Sequence, residues 1–495
     1  MTRGIIATPL RLATEAGAQV LRDGGNAVDA AIAADAVLCV VYPHMTSIGG
    51  DLMAIVWPAG APAPVGLVAA GRSGEHATIE AVRSAGHDSM PQRGPLTVTV
   101  PGTIEAWGRI IERFGTFGLE PVLEPAADLA DHGYLITPGL SEALKASAQM
   151  LAREPAAQAL YPPMEAGMTL RNPDLGSVLR DIARHGFNGF YRGEVAAAIT
   201  TAVQKRGGFI TANDMATHHS SWVDTLTASY RDVVVHELPP PTQGLAALAM
   251  LNRLSAASAE QLQPGPDCVA LFRAARDEAY ALRDRHVTDP DFAPLAADAL
   301  VAATVPDGGD TVYLCAADEH GNLVSLIQSV ADDFGSGIVA EGTGILLQNR
   351  GRYFSLDPTH INRLEPRKRT MHTLIPALAT RAGRPWALFG SMGGDGQPQL
   401  QTQVLVNLVD HGLGPQEAVA RPRFRIRANG QSIGVEATYP SAGRMARTQP
   451  DVQLMPPGKQ EFGHAHAIVI DGAASWRGGA DPRSDGAVET VTQGP

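Results

Sequence analysis

Two strand-like runs, Thr311-Val-Tyr-Leu-Cys-Ala-Ala317 and Leu323 to Val330, flank the turn segment Asp318-Glu-His-Gly-Asn322. Such runs joined by a short polar, glycine-containing segment read as an antiparallel hairpin. No other feature constrains the chain as much, because a hairpin dictates which residues face each other. A turn centred on His320 pairs residues whose numbers sum to 640, so Thr311 stands opposite Ser329. Side chains directly opposed in an antiparallel pair have Cβ atoms about 4.5–5.5 Å apart, within reach of a hydroxyl–hydroxyl hydrogen bond. A slip of one residue would send the partner to the other face. Taken alone, a Thr–Ser pair across a sheet is ordinary decoration.

The residues before the hairpin give the pair a different weight. Pro306-Asp-Gly-Gly-Asp310 is turn-rich and expected to lie exposed. A Gly-Gly-Asp/Thr junction at a strand start is a natural place to cut. Cleavage between Asp310 and Thr311 would give Thr311 a free α-amine beside its hydroxyl. That amine has an unperturbed pKa of about 8, so one residue could supply both nucleophile and general base.

Composition narrows the class. The 495 residues allow about three domains, or one large α/β unit. With 51 acidic against 39 basic residues the formal charge is −12, which argues against non-specific nucleic-acid binding or an anionic membrane surface. Cys39, Cys268 and Cys315 are isolated, form no CxxC or Cys/His cluster, and read as buried free thiols. Neither a metal nor an organic cofactor is indicated. Ala27 to Val41 is nearly all apolar but shorter than the ~20 residues of a membrane span, and it carries Asp29 and Asp35. It reads as a buried helix that Asn26 caps. No secretory pattern opens the chain, so a cytoplasmic location is expected.

Further helical patterns fall at 104–115, 122–133, 139–152, 176–185 and 193–206, with another from Gly244. Ser47-Ile-Gly-Gly-Asp51 is a tight loop before a strand from Leu52 to Trp57. A β-rich run spans Tyr230 to Glu237. Trp386 to Phe389 reads as a strand leading through a glycine loop to a helix near Gln399 to Asp410. Backbone N–H groups at such a helix start can stabilise developing negative charge, although a plain structural turn would look the same. The whole suggests a helix-rich first part and a strand-rich second part around one core.

The chain resembles the γ-glutamyltranspeptidase family of N-terminal nucleophile hydrolases. The resemblance rests on Leu21-Arg-Asp-Gly-Gly-Asn-Ala-Val-Asp-Ala-Ala31, Val100-Pro-Gly-Thr103, Asp310-Thr311, Phe334-Gly-Ser-Gly337, Gly342-Thr-Gly-Ile-Leu-Leu347, Gly390-Ser-Met-Gly-Gly394 and Gly479-Ala-Asp-Pro-Arg483, in family order. Each segment is weak alone; seven in order are specific. The resemblance implies an α+β fold, a four-layer αββα sandwich made as a precursor. Self-cleavage would yield a large piece, 1–310, and a small piece, 311–495, which stay associated. Thr311 would be the nucleophile, Ser329 its supporting hydroxyl, and Gly393 and Gly394 the oxyanion hole.

Several positions depart from the transpeptidases. Arg350 and Tyr353 stand where the family holds a substrate α-amine with a glutamine and an aspartate, and Ala331 replaces an asparagine with the same task. His372 and Thr373 replace the paired serines that hold the α-carboxylate. Arg72, in Gly71-Arg-Ser-Gly74, loosely matches the family's carboxylate-binding arginine. Asp395 and Gln399 are read as orienting the glycine loop, and His464 and His466 as structural. A site that has lost an anion and gained Arg350 favours a carboxylate over an ammonium group. The pattern resembles the branch of the family that includes oxamate amidohydrolase. The expected activity is hydrolysis, or transfer, of the acyl group of a small carboxylate-bearing amide such as oxamate or a γ-glutamyl compound. The segment from Phe354 to His372 is shorter than in relatives with a lid, which favours water as acceptor. A true γ-glutamyltransferase or glutathione hydrolase, and an unprocessed non-catalytic member, are the alternatives. The oligomeric state, a homo-oligomer included, is open.

Overall fold

The computed structural model describes residues 2–295, 310–428, 430–472 and 475–492. Residues 306–309 of the expected turn-rich segment lie outside that set.

Two antiparallel sheets stack face to face. The first runs, edge to edge, Ala487–Thr492, Thr2–Thr8, Asp310–Asp318, Leu323–Ala331, Asp51–Trp57, Val65–Ala69 and Ser221–Val223. The second runs Ser475–Ala480, Ala465–Gly472, Arg384–Ser391, Ala377–Arg381, Val233–Glu237 and Leu226–Tyr230. Side chains alternate across each strand. Val312, Leu314, Ala316, Leu52, Ala54 and Val56 face the helices, whereas Tyr313, Cys315, Met53, Ile55 and Ile327 meet Leu378, Leu388 and Ile468 of the other sheet. The outer face of the second sheet is covered by helices that include Gly244–Leu254 and Gln397–Val409. The result is the four-layer αββα sandwich. Both sheets contain strands from before and after residue 310, so the two segments share one core.

The helix Ala27–Val41 is buried along its whole length, packed beneath the first sheet. Asn26 and Asp29 form a reciprocal capping box, each side chain accepting the other's backbone N–H. Such a cap stabilises a helix by about 1 kcal/mol. Asp29 also accepts the amides of Thr116 and Phe117, which accounts for a carboxylate in this position.

Asp35, on the same helix, is less well provided. It accepts one hydrogen bond, from Trp107 Nε1 at 2.8 Å, and its Oδ1 has no partner among the described residues. Burial pushes its pKa up to about 7. A raised carboxyl pKa means the unfolded chain releases its proton first, so folding stability falls as pH rises from about 4 to about 7. The ceiling on that loss is roughly 4 kcal/mol at ~1.4 kcal/mol per pH unit. Asp35→Asn removes this ionisation. Its melting temperature should exceed that of the parent at pH 8, with the gap closing toward pH 4; an unchanged gap would contradict the assignment.

The hairpin register matches the expectation for six consecutive pairs, from Leu323–Ala317 to Gln328–Val312. It then shifts by one, so that Ala331 pairs with Asp310. Ser329 and Val330 together therefore face Thr311, a bulge of the kind that re-aims side chains near functional sites. The turn residues could set only the regular part of the ladder.

The other expected elements appear with small boundary shifts. The helix Pro266–His286 has no counterpart in the sequence reading. It buries Arg276, Arg283 and Asp284 alongside its apolar residues, which blurs the apolar periodicity that would have revealed it. All three cysteines are buried and free.

Candidate active site

Asp51, Ser329 and Thr311 lie on three adjacent strands at the same end of the first sheet, with Asp51 directly opposite Ser329. Strand parity places all three on the face turned to the second sheet, since Met53, Ile327 and Tyr313 point that way. The second sheet contributes the segment before its strand Ala377–Arg381, carrying His372 and Thr373, and the glycine loop after Arg384–Ser391.

Thr311 is 2% exposed. Gln397, the first residue of its helix, directs Nε2 at Thr311 Oγ1 at 3.5 Å, while its Oε1 accepts the amide of Ile375. Ser329 Oγ accepts the N–H of Ala331 at 2.7 Å, and Ala331 itself has a φ of 83°. Ser329 thus sits within the bulge rather than in a regular ladder pair with Thr311.

Asp51 is fully buried and organises the centre. Its Oδ1 accepts from Gly71 N at 3.0 Å and Gln348 Nε2 at 2.9 Å, and its Oδ2 contacts His372 Nε2 at 3.1 Å. The amide of Leu374 donates to His372 Nδ1 at 3.3 Å, so the ring proton is on Nε2 and is donated to Asp51. Burial, and then the charge of Arg350, lower the His372 pKa to about 4. The imidazole is therefore neutral at neutral pH.

Arg350 is completely buried rather than part of a surface ion pair. Nη1 donates to Thr373 Oγ1 at 2.9 Å, and the guanidinium lies 5.4 Å from the Tyr353 ring centroid. Nε and Nη2 have no partner among the described residues. Burial of the charge lowers its pKa from the usual arginine value. Two unpaired N–H donors on a buried cation are costly, and such groups call for an anionic partner. Tyr353 is also buried, its Oη accepting from Arg352 Nη2 at 3.2 Å. Behind it opens a cavity of about 620 Å³, bordered also by Arg352, Met371 and Asp284.

Arg72 is arranged differently. Its Nη1 and Nη2 bind Asp289 at 2.8 Å and Asp291 at 2.6 Å, and Arg369 shares Asp289. The charge of Arg72 is matched by two carboxylates, whereas among the described residues Arg350 has no ion pair.

In the glycine loop, Gly393 has φ 135° and Gly394 φ 52°. A Cβ on Gly393 would come within 2.5 Å of Leu400, so conformation and space both require glycine there. Among the described residues neither of the two N–H groups has an acceptor. His464 and His466 are buried, and the His464 carbonyl accepts the amide of Met392, next to the loop.

Thus Thr311, Ser329, Arg350, Tyr353, His372, Thr373, Gly393 and Gly394 converge, and Arg72 is held in a neighbouring ion network. Sequence reasoning missed Asp51, Gln348 and Gln397. Ser47 to Asp51 reads in the sequence as a tight loop, and Gln348 directly follows the motif that ends at Leu347. Nothing in their local pattern shows that they meet.

A pair of stacked sheets between helices, with a threonine heading a central strand, is the architecture of the N-terminal nucleophile hydrolases. Comparison with known proteins narrows this. The family model described as gamma-glutamyltranspeptidase matches residues 13–305 and 297–491, and the chain belongs to that family. It is 36% identical over 529 residues to the oxamate amidohydrolase proenzyme of Klebsiella pneumoniae, and 34% identical over 517 residues to the glutathione hydrolase-like YwrD proenzyme of Bacillus subtilis. Each alignment covers 98% of both chains. A crystal structure of a cephalosporin acylase from Bacillus halodurans matches with a TM-score of 0.91 at 36% identity, covering 100% of this chain and 96% of that one. The chain is an amidohydrolase of the N-terminal nucleophile type. Among its described residues no helix is long and apolar enough to cross a membrane.

Proposed function

We propose that the chain cleaves itself between Asp310 and Thr311 and then hydrolyses a small amide that carries a carboxylate. The observation that carries this reading is Arg350, a buried guanidinium with two unpaired donors in the cluster that holds Thr311. The nearby acids are engaged: Asp51 by three donors, and Asp332 by Arg352 and Asn349. The site therefore offers a carboxylate a partner and an ammonium group little. The proenzyme relatives, one of them named for oxamate, support the same direction.

In self-cleavage, Thr311 Oγ attacks the carbonyl carbon of Asp310. The peptide nitrogen leaves as the new α-amine, and water hydrolyses the resulting ester. The two pieces, 1–310 and 311–495, both contribute strands to each sheet and so stay associated. In turnover the α-amine takes the hydroxyl proton as Oγ attacks the substrate amide carbon. Gly393 and Gly394 N–H groups receive the oxyanion, and the amine departs with that proton. Water then releases the acid from the acyl-enzyme. Arg350 holds the substrate carboxylate with Thr373 beside it, and Tyr353 walls the pocket.

A γ-glutamyl substrate is the second reading, favoured by the glutathione hydrolase-like relative. Side-by-side turnover of oxamate, glutaryl amides and γ-glutamyl amides separates the two. A clear preference for the γ-glutamyl compound over its des-amino analogue would sink the carboxylate-only reading.

His372 has a ring already neutral above about pH 4, so it contributes no ionisation between pH 5 and 7. The rate should instead rise with an α-amine titrating at about 8, unperturbed. The check is kcat/KM against pH. A limb near 6.5 that disappears in His372→Gln would contradict this assignment.

A further inference from the structure

The glycine loop is gripped from one side by residues of the long helix Pro266–His286 and of the turn before Gly244–Leu254. Tyr280 and Arg283 are three positions apart and share a helix face. Arg283 is 1% exposed. Its Nη1 donates to Asp395 Oδ1 at 2.5 Å and to Gln243 Oε1 at 2.9 Å, and its Nε to Asp284 Oδ1 at 2.7 Å. The guanidinium lies 4.1 Å from the Tyr280 ring centroid. Tyr280 Oη donates to the Asp395 carbonyl at 2.5 Å. Gln243 Nε2 donates to the carbonyls of Gly394 at 3.0 Å and Thr373 at 2.9 Å. Within the loop, Gly396 N–H donates to the Gly393 carbonyl at 2.9 Å.

Three successive carbonyls, those of Gly393, Gly394 and Asp395, are thereby each held by a donor. A trans peptide points its N–H opposite its C=O, so holding the Gly393 carbonyl aims the Gly394 N–H the other way. Two adjacent glycines would otherwise flip readily between backbone states. A buried arginine between two carboxylates is an expensive way to stabilise a fold, but it allows few alternative geometries.

We infer that Arg283, Tyr280 and Gln243 are positioning residues that preorganise the Gly393–Gly394 N–H groups for the tetrahedral intermediate. The inference rests on the reading of those glycines as the oxyanion site. All three residues precede residue 310, whereas the loop follows it. The large piece therefore shapes the small piece's catalytic loop. Gln243 also ties that loop to Thr373, and through it to Arg350.

The test uses the full, self-cleaved protein in three forms, Tyr280→Phe, Arg283→Met and Arg283→Lys. Tyr280→Phe differs by one hydroxyl and should fold even where Arg283→Met does not. For a carboxylate-bearing amide, Tyr280→Phe and Arg283→Met should lower kcat by ~10- to 100-fold with KM within about two-fold. A carboxylate-bearing boronate that forms a tetrahedral adduct should lose affinity by a similar factor, while the product acid binds as before. Arg283→Lys should recover part of the loss. Unchanged kcat and boronate affinity in Tyr280→Phe and in whichever arginine variant folds would overturn the inference, as would losses carried by KM alone. Thr311→Ala distinguishes the two levels. If it still turns over amide, the underlying reading fails; if it is inert while Tyr280→Phe matches the parent, only this inference fails.

Discussion

Thr311→Ala should leave the chain in one piece and without amidase activity. The substitution removes the hydroxyl that attacks, and by preventing cleavage it also withholds the α-amine that would act as base. Losing both functions together should lower turnover by at least ~10⁴-fold, the scale seen when a covalent catalyst loses its nucleophile or base. Intact mass gives the first readout, since the parent should show fragments ending at Asp310 and beginning at Thr311. Amide hydrolysis gives the second. Thr311→Ser keeps a hydroxyl and, once cut, an amine, so it should retain a fraction of each activity. Because Thr311 is buried at a strand start, Ala should fit with little loss of stability. Normal fragments from Thr311→Ala would exclude the nucleophile assignment.

Arg350→Met should have the next largest effect, and an opposite signature. For a carboxylate-bearing amide, kcat/KM should fall by about 100-fold, or roughly 3 kcal/mol, the scale of charge-assisted hydrogen bonds in a buried site. For an amide lacking the carboxylate the change should be small. Stability should hold or rise, because the variant no longer buries a cation with unpaired donors. Arg350→Lys keeps a charge but not the planar fork, and should recover only part of the rate. The measurements are kinetics on the paired substrates and a thermal melt. Equal losses on both substrates would mean that Arg350 shapes the pocket rather than recognising a carboxylate.

These two residues differ in how visible they are in the sequence. Thr311 is marked by local pattern: a turn-rich junction, then a strand, then a turn. The pairing from Leu323–Ala317 to Gln328–Val312 follows from those residues alone. The bulge at Ser329 does not, since it depends on what packs against that end of the sheet. Arg350 stands out as a cation where the resemblance to the transpeptidases implies a different side chain, but its sequence neighbours say nothing about its partners. Arg72, equally plausible in sequence, is neutralised by Asp289 and Asp291, more than 200 positions away.

The amino-acid sequence alone determined the hairpin, the Asn26 cap, the buried Ala27–Val41 helix, the family and the αββα layering. The first three follow from alternation and turn chemistry, which act over short stretches of chain; the family and its layering follow only from the resemblance that the ordered motifs carry. Only the tertiary structure decided that Arg350 has no ion pair among the described residues while Arg72 has two, that Asp51 joins Gly71, Gln348 and His372, and that Arg283 grips the glycine loop. The physical reason is common to all of them. Whether a charge is paired depends on burial and on contacts between distant segments, and both exist only once the sheets have stacked.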